Sequence, residues 1–304
     1  MKKEKRSYCI VTDATADLTP EEVKKHNIRV IPMIFTIAEK EYEHNPDWSN
    51  MPYEKFYWLA KTEKIFTSQI PPAQFENVFR ECLETHDDIL FLCFSSGISG
   101  TFHSSQLARD AVQTQFPDRK IYVVDTKTTS VGLGSLTIQA AELRAAGHSI
   151  DAVHAKILET VPRLALWFTV RDISGLQRSG RCTSLEASVG NALNRKPVLY
   201  VNENGKLKKA KTVRGQERAF DEIVEKIARL ATTSPNEQTI QIANGDFQEA
   251  VNYLARHIKG RWPSCRIKIV KVSPIVGSHT GAGVVGVLFE GTKTVDAPID
   301  FMNC

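Results

Sequence analysis

From Tyr8 to about Ala146 the chain alternates short apolar runs with stretches in which apolar residues recur every three or four positions. The runs have strand length and the stretches have the spacing of one-sided helices. Strands are expected over 8–12, 28–37, 89–93 and 121–124. Pro32 inside the second implies an edge or a bulge. Helices are expected after the Thr19-Pro20-Glu21-Glu22 start signal, over 53–61, from about 73, and over 101–112, 133–146 and 150–161. Regular alternation of this kind predicts a mainly parallel sheet with helices on both faces.

The pattern changes near Pro162. A strand over 164–170, a helix over 185–193 and a hairpin about Asn202-Glu203-Asn204-Gly205 come first. Helices over 217–230 and 247–258 then mix with strands over 239–244, 267–272 and 284–289. This mixture predicts a second, α+β domain with a largely antiparallel sheet. The expected division is 1–162 and 163–304.

Composition narrows the function classes. At 304 residues there is room for two cores, and 42% apolar with 24% charged residues is ordinary for a globular protein. A net charge of +4, evenly spread, gives no footprint for nucleic acid, and the basic run 206–211 alternates like a solvated strand. Six scattered cysteines form no Cys-x-x-Cys pair, which argues against a zinc site and for a reducing compartment. No apolar run reaches membrane-spanning length and none follows the N-terminal charges as a signal would, so the expected location is cytoplasmic, without integral membrane association.

The distinctive chemistry lies at strand ends. Behind the apolar run 89–93 stands Phe94-Ser95-Ser96-Gly97-Ile98-Ser99-Gly100-Thr101, with four hydroxyls, two glycines and no charged residue. A turn at the carboxyl end of a central parallel strand is where open α/β sheets bind ligands. Glycines let backbone amides approach, and neutral donors at a helix start suit one carboxylate better than a triphosphate. Thr67-Ser68-Gln69 offers further hydroxyls beside prolines that stiffen the chain. His279, set among Gly277, Gly281 and Gly283, is a candidate to orient a serine or a carboxylate. Asp13, Asp17 and Asp125 lie in separate loops without close metal-ligand spacing and read as turn and cap residues. A serine hydrolase using Ser96 or Ser99 with His279 is an alternative, although the turn is not a Gly-x-Ser-x-Gly elbow. A pure interaction or regulatory module is another.

Taken in order, several of these segments resemble the DegV family of bacterial fatty-acid-binding proteins. The resemblance rests on Thr12-Asp13-Ala14-Thr15-Ala16-Asp17-Leu18, Thr67-Ser68-Gln69, Ser95-Ser96-Gly97-Ile98-Ser99-Gly100-Thr101 and Val124-Asp125-Thr126-Lys127. It continues through Ser130-Val131-Gly132-Leu133-Gly134, Ser179-Gly180-Arg181, Lys196-Pro197 and Gly277-Ser278-His279-Thr280-Gly281-Ala282-Gly283. It implies two α/β domains around one long-chain fatty acid, with no cofactor and no catalysis. It also implies that Thr67, Ser96 and His279 hold the carboxylate, with Ser68, Ser95 and Gly97 beside them. The implied partner is a fatty acid kinase that makes an acyl-phosphate for phospholipid synthesis, with Arg181 on the partner-facing side. Ala14, Ile70, Ser179 and Ala282 depart from the usual pattern, and the basic segment after the hairpin is diluted to Arg214-Gly215-Gln216-Glu217-Arg218.

Overall fold

In the computed structural model, which describes residues 6–182 and 194–293, the chain opens with β1 (Tyr8–Asp13) and α1 (Pro20–Lys25). The start signal at Thr19 forms a capping box: Thr19 Oγ1 accepts from the Glu22 amide and the Glu22 carboxylate accepts from the Thr19 amide. Next come β2 (Ile28–Ile31), β3 (Met33–Ile37), β4 (Lys40–His44), α2 (Tyr53–Leu59), β5 (Ile65–Thr67) and α3 (Pro72–Thr85). They lead to β6 (Asp88–Cys93), α4 (Thr101–Gln115), β7 (Ile121–Asp125), α5 (Val131–Ala145) and α6 (Ile150–Thr160).

The run expected as one strand over 28–37 is two strands in different sheets. β2 joins the parallel sheet β2-β1-β6-β7, whereas β3 sits in the antiparallel sheet β4-β3-β5. Pro32 falls between them, where its missing amide donor interrupts no ladder. β6 is buried along its whole length between β1 and β7, which explains its unbroken apolar sequence.

The second part comprises β8 (Leu164–Thr169), α7 (Ser174–Ser179), β9 (Arg195–Val201), β10 (Leu207–Arg214), α8 (Gln216–Leu230) and β11 (Thr239–Gly245). α9 (Gln248–Arg261), β12 (Arg266–Lys271), α10 (Pro274–Thr280) and β13 (Val284–Glu290) complete it. Its sheet runs β10-β9-β8-β13-β11-β12, antiparallel except for the parallel pair β11–β12. The helix expected over 185–193 lies outside the described residues. His279, which the sequence sets among glycines, is in the last turn of α10, which Gly281 ends at φ 76°.

The central strands of this second sheet are buried on both faces. Along β8, Leu166 and Phe168 face the first part of the molecule, while Ala165 and Trp167 pack with Phe220, Ile223 and Ile227 of α8. A strand covered on both sides has no polar face to show, hence the sequence Leu-Ala-Leu-Trp-Phe. The fold is therefore a two-domain α/β structure whose antiparallel sheet presents an apolar face toward the parallel one. Tyr53 and Tyr57 of α2 help join the parts, donating to the Asn244 and Val272 carbonyls, each at 3.0 Å.

Candidate ligand-binding site

A cavity of about 310 Å³ lies between the two parts. Its apolar wall includes Met33, Phe94, Leu166, Phe168, Ile275 and Val284. Leu166 and Phe168 reach it because alternate residues of β8 share one face. Its polar wall includes Thr67, Ser68, Gln69, Ser99, Arg181 and His279, with Thr15, Thr129 and Ser130 supplying further hydroxyls.

Thr67 and His279, far apart in sequence, meet at 2.8 Å between Oγ1 and Nε2. Thr67 is fixed as the last residue of β5, paired with Phe35 of β3. α10 carries His279 onto it by packing against β3, β5 and α7. Burial pushes His279 down to about 4, and the positive charge of Arg181 pushes the same way. At neutral pH the ring is an uncharged imidazole, and a carboxylate placed beside it would reverse that shift. Among the described residues no acidic side chain bonds to His279.

The hydroxyl-rich turn departs from expectation. Ser95, Ser96 and Gly97 are absent from the cavity wall. Ser96 is exposed, and its Oγ accepts from Lys127 Nζ at 2.9 Å. The Ser96 amide donates to Asp125, whose carboxylate also pairs with Lys127 at 2.6 Å. The Gly97 amide donates to Ser95 Oγ, the Ser99 amide to the Ser95 carbonyl, and the Thr101 amide to Ser99 Oγ. The anion nest expected here has thus been filled by the protein itself. The charges absent from the turn come from the end of β7, which the local sequence could not indicate.

Ser95 and Gly97 instead receive the β9–β10 hairpin tip. Ser95 Oγ donates to the Gly205 carbonyl at 2.8 Å, and Gly205 holds φ 72°. A Cβ on Gly97 would come within 2.7 Å of the Asn204 carbonyl oxygen, so only glycine permits this approach. Arg181, expected on a partner-facing surface, reaches the cavity wall, and it also borders a surface hollow lined by Gly97, Lys206 and Lys208. Ile98 and Leu207 are common to both linings, so the hollow is a basic lip of the cavity.

Ser99 enters the cavity although a helix cap describes it equally well in the sequence. Thr129 and Ser130 follow β7 in a run of hydroxyls, the signal that could have pointed to them. Thr129 Oγ1 is buried without a partner. Ser130, at φ 53°, donates to the Asp17 carboxylate, which also accepts from the Ser273 amide just before α10. The turn and cap role expected for Asp17 thus becomes a bridge between two walls of the site. Among the described residues no group of three or more His, Cys, Asp or Glu could hold a metal, and no helix is long and apolar enough to cross a membrane.

Two packed α/β domains enclosing an apolar cavity, with hydroxyls and a neutral imidazole on one wall, define a class of small-ligand-binding proteins. The sequence model of the DegV family of uncharacterised proteins matches residues 7–292, and the chain belongs to this family. A DegV domain-containing protein of Clostridium perfringens is 34% identical over 94% of this chain and 98% of its own. One from Lactococcus lactis is 32% identical over 95% and 99%. Among solved structures, a Thermus thermophilus DegV family protein described for fatty acid binding superposes with a TM-score of 0.81 at 28% identity, covering 93% of this chain and 98% of that one. DegV of Bacillus subtilis, described as a fatty acid binding protein, gives 0.78 at 25% identity over 93% and 98%.

Proposed function

We propose that this protein binds one long-chain fatty acid, its tail among Met33, Phe94, Leu166 and Phe168 and its carboxylate at Thr67 and His279, and that it does so without catalysis. The observation that carries this reading is the 2.8 Å Thr67–His279 pair in the polar wall of an otherwise apolar cavity. Solved relatives described as fatty acid binding proteins support the ligand class. Burying ~15 methylenes at about 0.8 kcal/mol each supplies a gross gain on the order of 12 kcal/mol, from which ordering the ligand subtracts several. Hydrogen bonds of about 1 kcal/mol each then orient the head group rather than dominate affinity. Ser68 and Ser99 join the head-group set, and Arg181 supplies positive potential beside it. Ser95, Ser96 and Gly97 act through the turn that seats the hairpin.

The hydrolase alternative is disfavoured by the same geometry. The imidazole bonds a threonine, Ser96 is engaged with Lys127, and a histidine held near 4 is a weak general base at neutral pH. The further step, presentation of the acid to a fatty acid kinase for acyl-phosphate formation and phospholipid synthesis in the cytoplasm, follows from the family resemblance of the sequence. The basic lip at Arg181, Lys206 and Lys208 is the surface suited to it.

Mass spectrometry of the organic extract of natively purified protein tests the binding reading. A stoichiometric long-chain acid is expected. Protein that is consistently empty and takes up no added long-chain acid overturns the proposal.

A further inference from the structure

On the far side of the β1–α1 segment lies a second cavity, of about 320 Å³, that shares no lining residue with the first. The short 3-10 turn after β1 divides them: Thr15 faces the acyl cavity, while Ala14 and Ala16 face the second. Its walls are mainly apolar, with Leu18, Val30, Pro46, Trp48 and Ile269 among them.

Two ionisable groups in this wall lack the partner their chemistry calls for, and the Ser273 hydroxyl beside Asp17 is buried without one as well. The Asp17 carboxylate accepts from the Ser130 hydroxyl and the Ser273 amide, both neutral donors, and pairs with no cation among the described residues. Each of its oxygens keeps a further lone pair. Burial pushes Asp17 up to about 7, as expected of a carboxylate without a counter-charge. Asp13, buried in the same wall, is likewise held only by neutral donors on Thr15 and Phe94. The other group is His44, which is 5% exposed. Its ring lies edge-on to Trp48 at 4.9 Å and makes no hydrogen bond among the described residues. Burial pushes it down to about 3, so it is uncharged and offers a ring nitrogen as acceptor. The lysine in the wall, Lys271, is directed to Glu54 at 3.5 Å and over the Tyr53 ring at 4.4 Å.

An anion is disfavoured here by Asp13, Asp17 and Glu21, and the ligand set is too sparse for a metal. A cation with several N–H donors suits a wall that offers the Asp17 carboxylate and a His44 ring nitrogen as acceptors, and Trp48 lines the same cavity. We propose that this cavity binds a small protonated primary amine with an apolar body. Its ammonium donates to Asp17 and to a ring nitrogen of His44, and its hydrocarbon part lies against Leu18, Trp48 and Ile269.

Titration calorimetry on the full chain at about pH 8, with hexylammonium as the probe and hexan-1-ol as its uncharged counterpart, tests this. Saturable binding at one site is expected for hexylammonium, at least about tenfold tighter than for the alcohol, the margin of one buried charge-assisted contact. Asp17→Asn should lose about that factor. His44→Phe keeps a ring against Trp48 but removes the acceptor, and should weaken binding severalfold even if the Asp17 variant fails to fold. Equal affinity for amine and alcohol, or undiminished amine binding by His44→Phe, overturns the proposal.

Discussion

Thr67 and Ser96 carry hydroxyls of similar reach, yet only Thr67 stands in the cavity wall, with His279 at 2.8 Å. Ser96 Oγ is turned out to Lys127. The two hydroxyls should therefore separate in a binding measurement. Thr67→Val removes a head-group donor and the partner of His279, and fatty acid affinity should fall by about two- to tenfold, the range for one net hydrogen bond. Ser96→Ala should change affinity by less than about twofold. Equilibrium dialysis with a labelled long-chain acid reads both, and a larger loss at Ser96 than at Thr67 would place the carboxylate at the turn instead. The serine-rich turn was legible as an unusual feature. Which of its hydroxyls enter the cavity was not, because Lys127 and Asp125 arrive from another strand.

At the scale of elements, the β9–β10 hairpin was readable from Asn202-Glu203-Asn204-Gly205, and its tip makes one of the contacts between the second part of the fold and the first. Gly205 serves twice: its φ of 72° disfavours side chains, and a Cβ there would lie 1.9 Å from Ser95 Oγ. Gly205→Ala is expected to destabilise the protein by more than about 1 kcal/mol, from the left-handed backbone alone. The docked contact with Ser95 is lost in addition. Urea unfolding monitored by circular dichroism measures it, and an unchanged midpoint would show that the hairpin does not hold the cleft closed. α10 gives the opposite lesson. Pro274 after Ser273 is a helix start signal, but Gly277, Gly281 and Gly283 crowd the few residues that follow, and packing against β3, β5 and α7 makes the segment a helix.

For the whole molecule, pH dependence of stability reports the buried imidazole. His279 titrates near 4 in the folded chain and near 6.5 when unfolded, so between these values unfolding takes up a proton there. Stability then falls as pH falls through that window, with a slope of about 1.4 kcal/mol per pH unit from this group. Asp17, raised to about 7, contributes with the opposite sign, because its folded form retains a proton that the unfolded chain releases. The informative quantity is therefore the difference between the parent and His279→Gln, whose stability should lack that slope from about pH 4 to 6.5. Denaturant midpoints across the range decide it, and parallel pH profiles would mean that His279 is protonated or exposed in the folded protein. Adding a long-chain acid should move the His279 titration upward, since a carboxylate beside the ring favours its charged form.

Hydrophobic periodicity by itself determined the parallel strands β1, β6 and β7 of the first part with their helices, and the largely antiparallel sheet of the second, because these follow from which residues must leave water together; the short strands β4 and β5, exposed or half-buried along most of their length, carry no such pattern and were not expected. The sequence also singled out Thr67, Ser96 and His279 as polar residues worth placing. Only the tertiary structure split the run around Pro32 between two sheets, brought Thr67 to His279, turned Ser96 outward and left Asp17 and His44 facing a second cavity. Those outcomes depend on contacts between residues distant along the chain, where hydrogen-bond partners and counter-charges come from elements that no local pattern encodes.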